Sequence, residues 1–448
     1  MEKLEDNFFS FKKEKPESWI VSVSMGYGHR RAAYPLKYLS PNRRVINAND
    51  FPGISKKDKS IWKNSKKLYD FISIFKKVPL IGTVVFSLFD RFQKIFKFYP
   101  KRDLSKSSFQ LKQNYSLIKK GWGKSFVEKL KTKKGNLPLV STFFIPAFMA
   151  EQFDYSGNIY CLVCDSDASR TWAPLNPSSS KIKYFAPTER VAERLSLYGV
   201  DSNNIFMTGF PLPLENIGGT GMEILKHDFS HRLLNLDPEK RYFKQYESLI
   251  KGYLGKLPLK TDHILTIMFA IGGAGAQKEI GFEIMESLKK KIQRGKVRLI
   301  FSAGTRREVR DYFLSKIKKE GMIDILGKGI EIIFNEKIED YFNNFNQKLR
   351  ETDILWTKPS ELSFYSALAI PLIIAPPVGS QEDFNKEWLL MSGFGIEQKD
   401  PKYSDQWIFD WLKKGYFAEA CMDGFIEGKK MGTLNIGEII SKEKDKIN

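Results

Sequence analysis

The sequence predicts an α/β protein built from two doubly wound parallel sheets. Short apolar runs rich in β-branched residues alternate with amphipathic segments along most of the 448 residues, which is the pattern of repeated β-α-β units. Two of these runs, residues 19–24 and 264–270, are each followed by a glycine-containing turn and a helical segment. Residues 211–219 are dense in proline and glycine and predict a linker between the two series.

The N-terminal series begins with the strand at 19–24. Gly26 and Gly28 end it, because glycine turns the chain without a Cβ clash, and we expect a helix over 30–39. Thr188 is placed to cap a helix over 189–198 through its side-chain oxygen. The other strands expected in this series lie at 44–50, 138–143, 158–164, 183–186 and 205–211.

The C-terminal series repeats the pattern. Its first strand, 264–270, leads into the glycine-rich turn 272–277 and a helix over 279–291. Further strands are expected at 297–302, 330–334, 354–356 and 371–375. The predicted domains are 1–214, with an insertion at about 52–134, then 215–403, and a helical tail at 404–448 that packs back across the junction. Within the tail, residues 404–427 read as a helix rich in Trp and Phe.

The charge balance predicts an anionic partner. Lys and Arg number 72 against 52 Asp and Glu, a net charge of +20. Nucleic acid is not the expected partner, because no RNA- or DNA-binding motif accompanies the charge. The hydrophobic content of 42% excludes a disordered chain. Of three cysteines, Cys161 and Cys164 lie within an apolar strand, so we expect packing rather than redox or metal chemistry.

The insertion at 52–134 interleaves lysines with bulky apolar residues. Its apolar core, 78–89, is too short to cross a bilayer. Helix-like spacing of Phe71, Ile74 and Phe75, and then of Phe92, Ile95, Phe96 and Phe98, indicates helices lying at a membrane interface over 61–102, with basic side chains on anionic head groups. The alternative is an amphipathic insertion that packs on its own domain. With no signal sequence, we expect a cytoplasmic protein, peripheral on the cytoplasmic membrane face.

Histidine is rare in the chain, and one of the four stands at a marked position. His29 follows the first strand within a Gly-x-Gly-His turn, where a neutral imidazole can accept a proton near pH 7. His227 and His231 have the i, i+4 spacing of a helical metal pair, but the Glu of an HExxH motif and a nearby third ligand are both missing from the sequence. Asp165 and Asp167 form an Asp-x-Asp pair after a strand. We expect no metal at either place.

Several motifs, taken in order, resemble one branch of the GT-B glycosyltransferases. That branch contains monogalactosyldiacylglycerol synthase, processive diacylglycerol glucosyltransferases and the lipid II-forming N-acetylglucosaminyltransferase. Its acceptor loop, Gly-x-Gly-His-x-x-Ala-Ala, is similar to residues 26–33, and its first donor loop to 272–275. Residues 160–213 match its next segment at Asp165, Trp172, Pro187, Glu189, Ala192 and Thr208-Gly209-Phe210-Pro211. Thr357-Lys358-Pro359 and Gln381-Glu382-x-x-Asn385 resemble its sugar-nucleotide signature.

This resemblance implies two Rossmann-like domains facing a cleft. It implies inverting transfer of a sugar from a nucleotide sugar, UDP-linked, to a lipid or lipid-linked acceptor, with no cofactor beyond that co-substrate and no metal. His29 and Asp165 are the implied catalytic residues, and Gly26, Gly28 and Trp172 belong to the acceptor loop. The implied donor-binding residues are Gly272, Gly273, Gly275, Arg306, Lys358, Ser363, Gln381, Glu382 and Asn385.

The chain departs from the family at three places. Ser360-Glu361-Leu362-Ser363 stands where the family has two glycines and a threonine after the lysine, Ser366 corresponds to its ribose-binding Glu, and Ser169 replaces a His. Side chains at 360–362 would crowd a diphosphate, and Glu361 would repel it. Two alternatives therefore stay open: a nucleotide-sugar epimerase or hydrolase on the same fold, and a non-catalytic, membrane-associated relative.

Overall fold

The chain forms two compact units, each organised around one parallel sheet. The structure, a computed structural model, describes residues 17–75, 95–131, 136–270, 272, 275 and 277–445. The N-terminal unit comprises 17–212, Val378–Asn385 and 429–445, and the C-terminal unit comprises Pro213–Pro377 and Lys386–Gly428. Each sheet has six strands and all pairings are parallel, which confirms the predicted α/β class with two doubly wound sheets.

The sheet of the N-terminal unit has the order β2-β1-β3-β4-β5-β6. Its strands are β1 (Trp19–Ser22), β2 (Ile46–Asn47), β3 (Leu139–Ser141), β4 (Ile159–Leu162), β5 (Lys183–Ala186) and β6 (Ile205–Met207). The chain passes from β1 to one neighbour, β2, and later returns to the other side of β1 as β3. The order therefore reverses between β1 and β3, and ligands of such sheets bind outside the carboxyl ends of the strands at this switch point.

The helices of this unit surround its sheet. They are α1 (Gly28–Ala33), α2 (Lys56–Phe75), α3 (Phe109–Lys119), α4 (Lys124–Lys131), α5 (Phe144–Gln152) and α6 (Glu189–Leu197). The predicted cap of α6 is confirmed, because Thr188 Oγ1 accepts a hydrogen bond from the Val191 N–H at 3.2 Å. The α-helix expected over 30–39 is only partly formed. It gives way after Ala33 to a 3₁₀ segment, Tyr34–Leu39, where Pro35 has no N–H to continue the α-helical pattern.

The described part of the 52–134 insertion packs into its own unit. Trp62 and Trp122 are buried and lie edge to face, with ring centroids 4.8 Å apart. The helical spacing predicted through Ile95 and Phe98 is wrong there, since residues 95–99 are not helical. Both side chains are buried, and the Arg190 guanidinium lies 3.9 Å from the centroid of the Phe98 ring, a cation–π contact that holds this stretch on α6. The apolar run 78–89 lies outside the described residues.

None of the described helices is long and apolar enough to span a bilayer. None of the three cysteines forms a disulfide and all three are buried, which confirms the expectation that Cys161 and Cys164 pack in the core. Burial also raises the pKa of the Cys161 thiol far above its usual range, so this sulfur stays protonated and unreactive.

The sheet of the C-terminal unit has the order β12-β11-β10-β7-β8-β9. Its strands are β7 (Thr266–Ala270), β8 (Arg298–Gly304), β9 (Ile330–Phe334), β10 (Ile354–Thr357), β11 (Leu372–Ile374) and β12 (Gly395–Glu397). The chain adds β8 and β9 on one side of β7 and then β10 on the other. Here the switch point lies between β7 and β10, so the turn after β7 and the segment after β10 meet at one edge of the sheet.

The remaining helices include two, within residues 404–427, that a glycine separates. They are α7 (Glu223–Leu236), α8 (Arg241–Leu254), α9 (Lys278–Gln293), α10 (Arg307–Lys319), α11 (Ile338–Leu349), α12 (Ser380–Met391), α13 (Ser404–Lys414), α14 (Tyr416–Glu427) and α15 (Gly432–Asp445). The single helix predicted over 404–427 is two helices, because Gly415 between them adopts a left-handed φ of +79° that ends α13. Strand β12 was not predicted, whereas α15 lies within the helical tail predicted at 404–448.

Substituting Gly424 in α14 should destabilise the C-terminal unit. A Cβ at this position would lie 2.4 Å from the Ser366 carbonyl oxygen, a backbone atom that cannot swing aside. We expect Gly424→Ala to lower the free energy of unfolding by about 1–3 kcal/mol, as overpacking of a tight contact does. Chemical denaturation followed by circular dichroism measures the change.

Gly252 provides the matched control. It also lies within a helix, α8, but a Cβ there would meet no atom within 4 Å. Gly252→Ala should therefore raise the free energy of unfolding by about 0.5–1 kcal/mol through helix propensity alone. Equal effects of the two substitutions would contradict the packing that we assign to Gly424.

Candidate functional site

A cavity of about 830 Å³ opens in the N-terminal unit at the switch point of its sheet. Three segments that follow neighbouring strands contribute to its lining: His29 after β1, Phe143–Ile145 after β3, and residues between 165 and 172 after β4. Because these strands are parallel, their carboxyl ends bring the three segments to one edge of the sheet. His29, Asp165 and Trp172, predicted separately from the sequence, therefore line the same cavity.

A backbone carbonyl holds the imidazole of His29 in place. Nδ1 lies 2.7 Å from the Thr142 carbonyl oxygen, and since a carbonyl only accepts hydrogen bonds, Nδ1 is the donor. In the neutral ring the lone pair then resides on Nε2, which is the basic nitrogen. The ring also packs against Phe143, with centroids 4.8 Å apart, and the Thr142 N–H donates to the Val21 carbonyl at 3.0 Å. These contacts fix the ring between the ends of β1 and β3.

Asn385 orders the loop that follows β4. Its side chain is fully buried, and its Oδ1 accepts hydrogen bonds from the Ser166 N–H at 2.8 Å and the Ser166 hydroxyl at 2.7 Å. Its Nδ2 donates to Asp165 Oδ1 at 3.1 Å. The residue that the sequence assigned to the donor sugar therefore orients Asp165 at the cavity wall.

The second carboxylate of the Asp-x-Asp pair is part of a buried ion pair. Asp167 is 3% exposed, and the fully buried Arg194 binds it through two parallel hydrogen bonds of 2.8 and 2.7 Å. Its Oδ1 also accepts the Ala168 N–H at 2.8 Å. A carboxylate satisfied in this way holds the fold together, and a metal would have to displace Arg194 to reach it.

The rest of the cavity wall is aromatic and amide-rich. Aromatic rings on one side include Trp62, Phe109 and Trp122, and side-chain amides project from α2 and α3. Within the described part of the chain the lining contains no Lys or Arg. Sequence reasoning missed the amides of Gln110, Gln113 and Asn114, although their i, i+3, i+4 spacing marks one face of a helix. Such a wall suits an uncharged ligand with hydroxyl groups.

The other residues predicted around the acceptor loop lie in the same unit. Gly26 has a φ of +95°, which favours glycine, and Gly28 is the first residue of α1. Gln381 lines the cavity. Glu382 is 3% exposed and accepts the Val378 N–H at 2.7 Å, so it caps its own turn. The donor signature 381–385 is thus part of the N-terminal unit, with His29 and Asp165.

The glycine-rich turn of the C-terminal unit lies against Lys358. A Cβ on Gly272 would be 2.4 Å from Cε of Lys358, so the aliphatic part of this side chain covers the turn. The Gly275 N–H donates to the Gly272 carbonyl at 2.8 Å, and Gly275 has a φ of +67°. Gly273 lies outside the described residues. The turn follows β7 and Lys358 follows β10, so the two meet at the switch point of this sheet.

Two further predicted donor residues belong to this unit. Arg306 lies beside the turn, since a Cβ on Gly275 would be 3.3 Å from its Cδ, and it forms an ion pair with Glu308 at 3.0 Å. Ser363 is fully buried in the 3₁₀ segment Glu361–Leu368, where its carbonyl accepts the Ser366 hydroxyl at 2.8 Å. This hydrogen bond between the two serines stabilises the segment that stands where the resembled family has its glycines. The contribution of each residue to donor binding stays a prediction.

Comparisons with known proteins found one family model and several similar solved structures. A family model described as a domain of unknown function, DUF6938, matches residues 259–326. None of the curated proteins matches the sequence. One similar solved structure is MurG from Acinetobacter baumannii, at 11% identity over 95% of this chain and 100% of that chain, with a TM-score of 0.49. Another is the UDP-GlcNAc 2-epimerase from Neisseria meningitidis bound to UDP-GlcNAc, at 12% identity over 95% and 100% of the chains, with a TM-score of 0.46.

A third similar structure is S. aureus MnaA with UDP, at 11% identity over 96% of this chain and 97% of that chain, with a TM-score of 0.46. Similarities at this level do not transfer an activity to the chain. The case for a function therefore depends on the geometry of its own residues.

The two aspartates at the cavity should respond differently to the same substitution. We expect Asp167→Asn to lower the free energy of unfolding by about 3–5 kcal/mol, because it leaves the buried Arg194 without its counter-charge. Asp165→Asn should change stability much less, since an amide oxygen can still accept the hydrogen bond from Asn385. Urea denaturation of both variants tests this, and an equal loss would refute the separate roles that we assign to them.

Proposed function

We propose that the protein is an inverting glycosyltransferase that moves a sugar from a UDP-linked donor to a hydroxyl group of a lipid or lipid-linked acceptor at a membrane surface. The observation that carries this proposal is the fixed imidazole of His29 at the wall of the cavity. A base held in one tautomer beside a space for an alcohol is what activation of an acceptor hydroxyl requires.

His29 is the proposed general base. Its Nδ1–H donates to the Thr142 carbonyl, so Nε2 takes the acceptor proton while the hydroxyl oxygen attacks the anomeric carbon. The bond between that carbon and the nucleoside diphosphate breaks in the same displacement, which inverts the anomeric centre. Asp165, oriented by Asn385, either orients the acceptor or replaces His29 as base.

The lining of the cavity supports a neutral, partly apolar acceptor. Aromatic rings favour the apolar part of such a molecule, and amides on α3 offer hydrogen bonds to its hydroxyls. A chain with a net charge of +20 has ample Lys and Arg to bind phosphate, yet the described lining includes none. A negatively charged group of the acceptor is therefore disfavoured inside this cavity, and any phosphate of a lipid-linked acceptor would bind elsewhere.

The switch point of the C-terminal unit is the proposed donor site. Glycine at 272 and 275 lets backbone amides approach a diphosphate, and the Lys358 side chain lies over the same turn. Lys358, with Arg306 nearby, would offset the negative charge that grows on the leaving diphosphate. Glu361 lies on the segment that follows Lys358, and its negative charge would repel the leaving diphosphate. The positive charge of Lys358 is therefore more important here.

Removing the imidazole should abolish most of the turnover. We expect His29→Ala to lower kcat by about 10²–10⁴-fold, the usual contribution of a general base. Release of UDP from UDP-sugars in the presence of diacylglycerol or polyprenyl acceptors in vesicles measures the rate. The melting-temperature shift caused by the UDP-sugar should be unchanged in this variant, because the proposed diphosphate site at Gly272 and Lys358 lies in the C-terminal unit. Turnover within tenfold of the unmodified protein would remove His29 from the mechanism.

Removing the charge of Lys358 should weaken donor binding. Lys358→Met keeps an unbranched side chain over Gly272, and loss of a charge-assisted hydrogen bond of about 1.5–3 kcal/mol corresponds to about a 10–100-fold rise in Kd. Calorimetric titration with UDP and UDP-sugars measures it. Lys414→Met on α13 is the matched control, since it removes the same charge from a residue paired with Asp410 at 2.8 Å. Equal affinities of the two variants would argue against a donor site at this turn.

The same assay separates the proposal from its main rival. An epimerase or hydrolase on this fold would consume the UDP-sugar whether or not an acceptor is present. A glycosyltransferase would release UDP in proportion to the acceptor and leave a glycosylated lipid. Consumption that ignores the acceptor would contradict the proposed transfer.

A further inference from the structure

Three of the four histidines in the sequence lie close together in the C-terminal unit, away from the turn at Gly272. His227 and His231 occupy one face of α7, with ring centroids 4.8 Å apart. Asp262 and His263 come from the segment just before β7. His231 Nδ1 lies 3.4 Å from Asp262 Oδ1, and His263 Nδ1 lies 2.5 Å from the same carboxylate oxygen. The cluster joins a helix to the amino end of a central strand.

We propose that His227, His231 and Asp262 bind one divalent transition-metal ion of the zinc class. One ligand atom from each residue lies within 4.8 Å of the others. Two imidazoles and a carboxylate are a common ligand set for zinc, with water completing the tetrahedron. The third ligand could not be predicted from the sequence, because Asp262 is 31 residues beyond His231 and only the fold brings it near.

The cluster needs only a small adjustment to close on an ion. Zn–N and Zn–O distances of about 2.0–2.1 Å place two ligand atoms of a tetrahedral site about 3.4 Å apart. All ligand atoms of the cluster lie within 4.8 Å of one another, which exceeds this separation by at most about 1.4 Å. His227 has a side chain 56% exposed and can rotate to make up the difference, while His231 is 15% exposed and held in place.

The surroundings of His227 prepare its ring for a metal. Nδ1 lies 3.2 Å from Asp228 Oδ1, and an ionised carboxylate only accepts, so the lone pair of the neutral ring is on Nε2. Asp228 is itself held by Arg350 through two hydrogen bonds of 2.9 Å. A carboxylate behind a ligating histidine fixes its tautomer and strengthens its binding.

His231 and His263 have different roles in this site. His231 Nδ1 accepts the Asp262 N–H at 3.1 Å and lies 3.4 Å from Asp262 Oδ1. This nitrogen therefore carries the lone pair of the neutral ring and binds the ion, which replaces that hydrogen bond. His263 lies between two carboxylates, with Nδ1 on Asp262 and Nε2 at 3.2 Å from Asp353. It is a positioning residue, because both nitrogens are occupied in holding Asp262 against the fully buried Asp353.

The expected effect of the metal is on stability. Asp353 Oδ2 accepts the N–H of Thr266, the first residue of β7, at 2.7 Å, and Nδ2 of Asn235 on α7 at 3.1 Å. An ion on His227, His231 and Asp262 would add a second connection between α7 and this strand. It would act at the amino end of β7, whereas the glycine turn follows the carboxyl end, so it takes no part in the proposed reaction.

The test is a zinc titration of protein without a purification tag. Calorimetry should find one zinc per chain, and the melting temperature should rise with free zinc. Cobalt bound in place of zinc should give the visible absorption of a four-coordinate site. His227→Ala and Asp262→Asn should each weaken binding by at least tenfold and remove the rise in melting temperature. His227 is exposed, so its variant is expected to fold.

His29→Ala is the matched control, because it removes a histidine from the other unit and should leave zinc binding unchanged. The proposal fails if zinc does not raise the melting temperature. It also fails if His227→Ala and Asp262→Asn both keep the affinity of the unmodified protein.

Discussion

The hydrogen bond from His29 to the Thr142 carbonyl is the contact on which the N-terminal site depends. It joins the segment after β1 to the segment after β3, the two strands between which the sheet order reverses. One bond thereby sets the tautomer of the imidazole, its orientation and its place at the cavity. The carboxylate of Asp165 comes to the same wall through Asn385, so both acid–base groups are positioned by amides and carbonyls that carry no charge.

The two sheets have the same kind of switch point but carry different chemical groups there. At its switch point the N-terminal unit has an imidazole, aromatic rings and amides, and the C-terminal unit has glycines beneath a lysine. The first set suits a neutral alcohol and the second a diphosphate. The excess positive charge of the chain is thus not spread evenly over the two candidate sites, and that contrast is the reason why we propose separate units for acceptor and donor.

The fold could be predicted from the sequence because parallel strands that are buried on both faces read as continuous apolar runs. The three-residue strand β12 was not predicted, because it has no such run. Single candidate residues could be found from turns, as His29 was, and this residue lines the cavity. Contacts between residues that are distant in sequence could not be predicted. Asn385 was assigned to a sugar by its motif, yet it packs on Ser166. Asp262 comes close to His231 only in the folded chain. The prediction of a helix through residues 95–99 was wrong, because the spacing of aromatic residues does not distinguish a helix from a non-helical segment whose rings pack on arginines.

The N-terminal unit is completed by stretches that lie far along the chain. Asn385 orders the loop at Ser166 across 219 residues of sequence, and Thr433 donates to the Leu212 carbonyl and accepts the Tyr38 hydroxyl. A fragment that ends near the proline-rich linker would therefore expose the edges that these stretches cover and lose the order of Asp165. Residues 17–212 alone therefore do not make up this unit, and during synthesis its packing can be completed only after residues 429–445 have left the ribosome.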